Sequence, residues 1–315
     1  MEMNKSKLII LMDLAQDLIT AAQIPLYPNK HSRKDFTNHQ LFKLLVLKAY
    51  EGKDYRRFCE SLEVSKITDY LGLRRIPHFT TLQKFAQRQN IQKLEKLLAK
   101  FVDLAPKKMR NGGLDSSFFR LSHASEHYEK RIGRPVKKKD SLKANCFFDL
   151  ENLLILAIKT RKKNRHDMHD MKALWNKIKD FDFRAMFGDK AFDANWFHKL
   201  IFESGRKSMI HLKNEDLPIW RTGGTYRKQA KRLGKNNKKG KRSLVETVFS
   251  ILKRIYSSMI RARKLTNQKI ELLFRIITCN LERIITITRN KILRFLIFLE
   301  FLQKSNKNSI RIWPT

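Results

Sequence analysis

The sequence predicts an α/β fold in which a mixed sheet is flanked by helices, preceded by an α-helical N-terminal domain and followed by C-terminal helices. Over residues 1–105, apolar side chains recur three and four positions apart, which is the spacing of amphipathic helices. After Pro106 the pattern changes to three short runs rich in aliphatic and aromatic residues, and helix-like and strand-like runs then alternate. Strands followed by such alternation indicate a sheet with helices on its faces.

The N-terminal domain, residues 1–105, is predicted to contain short helices joined by tight turns. Residues 39–52 form a helix that ends at a glycine, and the next helix starts at Asp54, a residue type that caps helix N-termini. Another helix ends at Gly72, and a further one starts at Thr80 or Thr81. This rhythm is typical of a helix-turn-helix bundle, although a bundle that only packs on the rest of the chain or dimerises fits equally well.

The central domain, residues 106–260, is predicted to hold strands at 114–122, 143–150 and 153–163, a helix at 168–180, a strand at 183–192, a helix at 194–204 and a strand at 207–213. Residues 214–241 contain four glycines and many cations, and we interpret them as an exposed basic loop. From Arg242 to about Lys304 the chain is predicted to be helical, and residues 261–315 form a C-terminal helical region.

The composition predicts a polyanionic partner. Lys and Arg number 67 against 30 Asp and Glu, which gives a net charge of +37. Such an excess repels itself unless it meets a polyanion, and nucleic acid is the natural one because neutralised phosphates release counterions. A membrane surface is the competing polyanion, but the most apolar stretch, residues 292–302, is too short to span a bilayer. We therefore expect DNA as the partner and no membrane.

The cysteines indicate a reducing compartment. Cys59, Cys146 and Cys279 are widely spaced and form no CxxC pair, so they predict neither a disulfide framework nor a zinc site. No signal peptide pattern opens the sequence. We expect a cytoplasmic, nucleoid-associated protein.

Three acids stand where elements of the predicted sheet meet. Asp115 starts the first strand after two glycines, Asp189 ends the fourth strand, and Glu246 lies one turn into a helix. Taken singly, the two aspartates are explained as turn or cap residues, and Glu246 as an i,i+4 partner of Arg242. Together, in so basic a chain, they predict a site for Mg²⁺ or Mn²⁺, since hard cations prefer oxygen ligands. A pair of such ions can promote phosphoryl transfer.

The helix that carries Glu246 should place it at the edge of the core. At about 100° per residue, one apolar stripe is predicted to pack on the sheet. Its members are Val245, Val248, Leu252, Ile255 and Met259. Glu246 falls on a neighbouring arc with Arg242 and Lys253.

The motifs of this helix and of the two strands resemble a known family. Arg242, Glu246 and Lys253 have the spacing R-x3-E-x6-K, while Asp115 and Asp189 lie in GLDSS and GDKAFD. With these motifs the chain resembles the DDE transposases of bacterial and archaeal insertion sequences, the insertion-sequence 4/5 superfamily. The N-terminal segment 33–58 also resembles the helical domain of that family, so the similarity covers most of the chain.

The resemblance implies a ribonuclease-H-like catalytic domain in which Asp115, Asp189 and Glu246 bind two Mg²⁺ or Mn²⁺ ions. It also implies cleavage of double-stranded DNA at element ends, transfer of the 3′-hydroxyl into target DNA, and a homodimer on DNA. In one departure, Lys239 replaces the tyrosine that often stands three residues before the arginine. That change removes the basis for a DNA contact by the tyrosine.

Cations around the predicted site are expected to contact DNA. Arg242 and Lys253 would bind phosphates on either side of the scissile bond. Residues 131–140 are interpreted as a hairpin tip on phosphates, with insertion of an arginine into the minor groove as the alternative. Residues 221–242, with ten cations and no acid, are expected to become ordered on DNA. The remaining candidates are Arg134, Lys137, Lys138, Lys139, Lys238, Lys239, Lys241, Lys84 and Arg88.

Two other acidic segments are interpreted as helix caps. The run HDMHD, residues 166–170, resembles a metal cluster, but a cap by Asp167 or Asp170 is the preferred reading. Asp193 is likewise expected to cap the helix that follows it. Two alternative functions stay open: a catalytically inactive, transposase-derived DNA-binding protein, and a simple metal-dependent nuclease.

Overall fold

A mixed sheet with helices on both faces organises the part of the chain that the computed structural model describes. The described residues are 5–31, 33–121, 131, 133, 141–162, 165–234 and 241–309, and for 241–243 and 291–309 only the backbone is described. The strands are β1 (Asn111–Leu121), β2 (Ser141–Asp149), β3 (Leu154–Arg161), β4 (Ala185–Gly188), β5 (Lys207–Ile210) and β6 (Met259–Ile260). The N-terminal helices are α1 (Lys7–Ala21), α2 (Asn38–Glu51), α3 (Tyr55–Glu63), α4 (Ile67–Tyr70), α5 (Phe79–Gln87), α6 (Ile91–Ala99) and α7 (Phe101–Leu104). The later helices are α8 (Met168–Ile178), α9 (Asn195–Glu203), α10 (Thr225–Gly234), α11 (Lys241–Tyr256) and α12 (Leu265–Ser309).

The strand order is β3-β2-β1-β4-β5, with β1 in the middle. β2 and β3 run antiparallel to their neighbours, whereas β4 and β5 are parallel to β1 and to each other. Almost every residue of β2 and β3 is buried, as expected for strands covered on both faces. The predicted fold class, a ribonuclease-H-like mixed sheet flanked by helices, is confirmed.

The helix ends in the N-terminal part follow their capping residues. The side chain of Asp54 accepts hydrogen bonds from the backbone N–H groups of Arg56 and Arg57, both at 3.0 Å, and so begins α3 as predicted. Gly52 ends α2 with φ +65°, a conformation that favours glycine. α5 begins at Phe79, one or two residues before the predicted start at Thr80 or Thr81, and His78 occupies its N-cap position without a side-chain cap bond.

The long helix α12 joins the N-terminal helices to the sheet. The rings of Phe42 on α2 and Phe274 on α12 lie 5.2 Å apart. The Asn280 side chain accepts a hydrogen bond from the backbone N–H of Ile155 and donates one to its carbonyl, at 3.0 and 2.8 Å. Asn280 therefore covers polar backbone groups of the edge strand β3. The predicted boundaries after residues 105 and 260 fall in links between elements, and the independence of the three parts stays a prediction.

Three further details of the predicted secondary structure were wrong. The buried stripe of α11 includes Phe249 and Tyr256, while Ile255 is 55% exposed. At about 100° per residue, Phe249 and Tyr256 lie within about 40° of Val245 around the helix, whereas Ile255 lies about 80° away. The helix predicted from Arg242 to about Lys304 is interrupted after Tyr256, and Met259 lies in β6, which pairs with the end of β1. The segment predicted as a basic loop contains α10.

Two further observations concern the membrane and the thiols. Within the described ranges, the structure has no helix that is both long and apolar enough to cross a bilayer. Cys59, Cys146 and Cys279 are free and buried. Burial raises the pKa of Cys59 to about 11 and that of Cys279 to about 12, so these thiols are protonated at neutral pH.

Candidate active site

The register of two parallel strands places Asp115 beside Asp189. Leu114 on β1 pairs with Gly188 on β4, and each aspartate follows one of these two residues. The aspartates therefore lie at the same level on neighbouring strands, which are about 4.8 Å apart. The pairing explains how residues distant in sequence meet.

Gly113 on β1 allows the helix that carries Glu246 to pack close to the two aspartates. A Cβ atom on Gly113 would lie 2.7 Å from Leu150 Cδ2 and 2.8 Å from Val245 Cγ2. The missing side chain thus lets α11 pack closely on β1. Asp115 points to the same face as Gly113, since strand side chains alternate. Glu246, the neighbour of Val245, therefore stands at the edge of the contact on the face that carries Asp115.

One small cleft is lined by all three predicted acids. Its volume is about 30 Å³, and its lining residues are Leu114, Asp115, Phe187, Gly188, Asp189, Val245 and Glu246. The aspartates are half-buried and Glu246 is exposed. In the described part of the chain, no group of three or more His, Cys, Asp or Glu residues is arranged closely enough to hold a metal ion. The structure thus brings the three acids around one cleft without a preformed metal cage.

Both aspartates also stabilise the local backbone. Asp115 Oδ1 accepts a hydrogen bond from the Ser116 N–H, and Asp189 Oδ1 accepts one from the Lys190 N–H, each at 2.7 Å. Asp189 caps the short 3-10 helix Lys190–Phe192. These bonds fit the cap interpretation of the single residues, and they also hold the two carboxylates at the cleft.

Lys253 on α11 interacts with one of the three acids, Asp115. Its ammonium stands 5.7 Å from the centre of the Phe119 ring, on the β1 face that also carries Asp115. Burial lowers the pKa of Lys253, attraction to Asp115 opposes that effect, and repulsion from Arg120 adds to it. Lys253 therefore supplies a cation close to one candidate ligand.

The other predicted DNA contacts are placed only in part. Lys84 and Arg88 are exposed on or just after α5. Lys241 and Arg242 begin α11, but their side chains are not described. Six further candidates lie outside the described residues: Arg134, Lys137, Lys138, Lys139, Lys238 and Lys239.

Asp193 is not the predicted helix cap. Ala194 occupies the N-cap position of α9, and Asp193 is buried. Its carboxylate accepts hydrogen bonds from His198 Nε2 at 3.1 Å, Arg227 Nε at 2.7 Å and the Lys213 N–H at 2.9 Å. Burial alone would raise the pKa of Asp193, but these three bonds outweigh it and lower the pKa to about 2. Asp193 therefore binds partners from other parts of the chain and does not cap the N-terminus of α9.

The contacts of Asp193 continue through the core. His198 Nδ1 lies 2.7 Å from Ser208 Oγ on β5, and both residues are fully buried. A substrate cannot reach this Asp–His–Ser chain, so it is structural and links the segment after Asp189 to α9 and β5.

Helix α10 forms because α9 caps it. The Asn195 Oδ1 accepts hydrogen bonds from the N–H groups of Tyr226 and Arg227, at 3.2 and 3.3 Å. The Tyr226 ring stacks on Phe202 at 6.3 Å, and Ala230 is buried. Nothing in the cationic sequence signals these tertiary contacts, which is why a loop was predicted there.

The run at 166–170 holds ion pairs instead of caps. Asp167 pairs with Lys143 at 2.6 Å, and Asp170 pairs with Arg161 and accepts a hydrogen bond from Asn145. Asp167 occupies the N-cap position of α8, as one of the two predicted alternatives has it, but its side chain makes no cap hydrogen bond. Its carboxylate instead offsets the buried charge of Lys143.

Comparison with known families aligns residues 106–281, more than half of the chain, with the transposase DDE domain. The chain belongs to this family. The matched region of this DDE transposase runs from the link before β1 into α12, so it includes the whole sheet and all three acids of the cleft.

Solved transposase structures show a weak similarity to this DDE transposase. A piggyBac transposase in a synaptic complex with hairpin DNA has 13% identity and a TM-score of 0.41, over 89% of this chain and 74% of that one. Mos1 in a strand transfer complex has 13% identity and a TM-score of 0.24, over 76% of this chain and 82% of that one. No curated protein matches the sequence significantly.

Proposed function

We propose that the chain cleaves double-stranded DNA at element ends in a metal-dependent reaction and transfers the 3′-hydroxyl into target DNA. Asp115, Asp189 and Glu246 are the proposed ligands of two Mg²⁺ or Mn²⁺ ions. The observation that carries this proposal is the placement of these three carboxylates around one cleft in a transposase DDE domain.

The side chains of the cleft fit hard divalent cations. Three elements supply carboxylate oxygens, the donor type that Mg²⁺ and Mn²⁺ prefer. Glu246 is exposed, so its side chain can change rotamer and move toward the two aspartates. When bound, such ions activate an attacking water or 3′-hydroxyl and stabilise the leaving oxygen.

The residues of α11 are proposed to hold DNA at the cleft. Lys253 lies beside Asp115, and Arg242 stands one turn before Glu246 on the same helix. Because a helix is rigid, it keeps the two phosphate-binding positions at a constant separation. Assignment to the insertion-sequence 4/5 superfamily, a homodimer on DNA and a nucleoid location in the cytoplasm belong to the same proposal.

The test replaces each carboxylate without changing its size. Asp115→Asn, Asp189→Asn and Glu246→Gln should each abolish cleavage and strand transfer with Mg²⁺ on fragments from the DNA that flanks the gene. Binding of the same fragments should survive. The matched control is Glu203→Gln on α9, an exposed acid in an i,i+4 pair with Lys199. This control should retain full activity.

The outcomes separate the three candidate functions. Cleavage without joining by the unaltered chain would favour the nuclease, and binding with no cleavage would favour the inactive DNA-binding protein. A second readout is the rise in melting temperature with Mn²⁺, because a ligand that binds only the folded state stabilises it. If Glu246→Gln kept the full Mn²⁺ effect, the assignment of Glu246 would be wrong.

A further inference from the structure

A large groove lies between the N-terminal helices and the segment that follows α11. Its volume is about 850 Å³. One wall comes from α2, α3 and α5, and the other from the end of α11, the residues on either side of β6 and the first part of α12. We call it the cationic groove, after the charged residues that line it.

Positive charge dominates this groove. Among the described residues, eight cations and two carboxylates line it. Besides Lys253 and Arg275, these cations are Lys48, Lys53, Arg254, Arg261, Arg263 and Lys264. Both carboxylates form hydrogen bonds with backbone groups. Glu271 accepts a hydrogen bond from the Ala262 N–H at 2.9 Å, and Asp54 caps α3. The excess cations therefore call for an anionic occupant.

Like charges crowd together on the floor of the groove. The Lys48 ammonium lies 4.3 Å from the centre of the Tyr55 ring and close to Arg261 and Arg275. Burial is the main cause that lowers the pKa of Lys48 to about 8; attraction to Glu271 opposes it, and repulsion from Arg275 and Arg261 adds to it. Glu271 pairs with Arg275, and together with Asp54 it offsets only part of the positive charge around Lys48. A phosphate placed there would relieve the repulsion.

The turn at the mouth of the groove is held in a strained conformation. Ser257 has φ +73°, which is unusual for a residue with a side chain. Arg275 donates hydrogen bonds to the carbonyls of Ser257 and Met259, at 2.9 and 2.7 Å, and keeps the turn in place. The turn orients the cationic segment that follows it, residues 261–264, along the groove.

Lys253 connects the groove to the candidate active site. It lines the groove and also lies beside Asp115. We propose that the cationic groove binds the phosphodiester backbone of the DNA that leaves the catalytic cleft. That the ligand is DNA rests on the proposed function, whereas the excess of cations in the groove is observed in the structure itself. Arg261, Arg263 and Lys264 were not among the cations predicted to contact DNA, although they form the basic run RARK at residues 261–264.

The test compares two double variants with the same loss of charge. Arg263→Ala with Lys264→Ala removes two exposed cations from the groove, and Lys93→Ala with Lys96→Ala removes two exposed cations from α6, outside it. Binding of short duplex and single-stranded oligonucleotides is measured over a range of salt concentrations. Melting temperatures check that both variants fold.

The groove variant should lose affinity by roughly tenfold or more at low salt, because each phosphate contact contributes about 0.9 to the salt slope on duplex and about 0.7 on a single strand. Its slope should therefore fall by roughly 1.8 or 1.4, and the form with the larger loss identifies the strand type in the groove. The control should keep the slope of the unaltered chain.

Two results separate failure of the groove from failure of the catalytic proposal. Suppose that the unaltered chain cleaves DNA with Mg²⁺, but the groove variant and the control show the same dependence of DNA affinity on salt. This result would overturn the proposal for the groove and leave the catalytic proposal standing. A reduced slope in a chain that never cleaves would support the groove and reject the catalytic proposal.

Discussion

Arg227 Nε lies 2.7 Å from Asp193 Oδ1, and this pair ties α10 to the segment that follows the candidate ligand Asp189. Asp193 is buried, while Arg227 is partly exposed. The first turn of α10 is therefore anchored to Asp193, which lies four residues after Asp189 in the cleft.

Arg227→Ala should destabilise the fold and loosen α10. The loss leaves a buried carboxylate with one hydrogen-bond donor fewer, which costs about 1–3 kcal/mol. Urea unfolding measures the stability, and hydrogen exchange should show faster opening in Thr225–Gly234. Lys199→Ala breaks an exposed pair and should cost less than about 1 kcal/mol. Unchanged exchange in α10 would contradict the anchoring role.

The low pKa of Asp193 predicts a loss of stability in acid. Its folded-state pKa of about 2 lies below the ordinary value of 3.8. The ionised carboxylate therefore contributes stability that is fully present above about pH 4 and is lost as the pH falls through about 2. Asp193→Asn should be less stable near neutral pH and should lose part of this acid dependence. Urea unfolding between about pH 5 and pH 2 tests the prediction, and an unchanged pH profile would refute it.

Gly113→Ala should separate α11 from β1. Its Cβ would meet Leu150 and Val245 at 2.7 and 2.8 Å, and overpacking of this kind costs about 1–3 kcal/mol. Because Glu246 follows Val245, the rise in melting temperature with Mn²⁺ should also become smaller. Gly223→Ala is the control, since no heavy atom lies within 4 Å of its added Cβ. Equal stability of the two variants would argue against close packing at Gly113.

DNA binding should weaken as the pH rises through about 8, because Lys48 must be protonated to attract a phosphate. The groups that act on the pKa of Lys48 are Glu271, Arg275, Arg261 and Asp54. Glu271 and Asp54 raise it, whereas burial and the two arginines lower it.

Lys48→Met should bind DNA more weakly near pH 7 and with a smaller pH dependence. Fluorescence anisotropy with a labelled oligonucleotide between about pH 7 and pH 9 measures both effects. Lys93→Met, which changes an exposed lysine outside the groove, should retain the pH dependence of the unaltered chain. A Lys48→Met variant with the full dependence would show that another group causes it.

Local patterns in the sequence predicted much of the fold. The 3.6-residue period, the cap at Asp54 and the glycine after α2 predicted helices because they act within a few residues. The runs that became β1, β2 and β3 were predicted for the same reason. The short strand β6 was missed because its two residues are defined only by pairing with β1.

The candidate site shows where the sequence reached its limit. Asp115, Asp189 and Glu246 were selected from motif and charge, and the structure places them around one cleft. By itself the sequence determined the candidate acids, the excess of cations and most helices and strands, since these depend on composition and local periodicity. Only the tertiary structure decided that Asp193 holds Arg227, that α10 is a helix and that two distant cationic segments face each other across a groove. Those features depend on contacts between residues far apart in the chain, which local hydrogen bonding and periodicity do not encode.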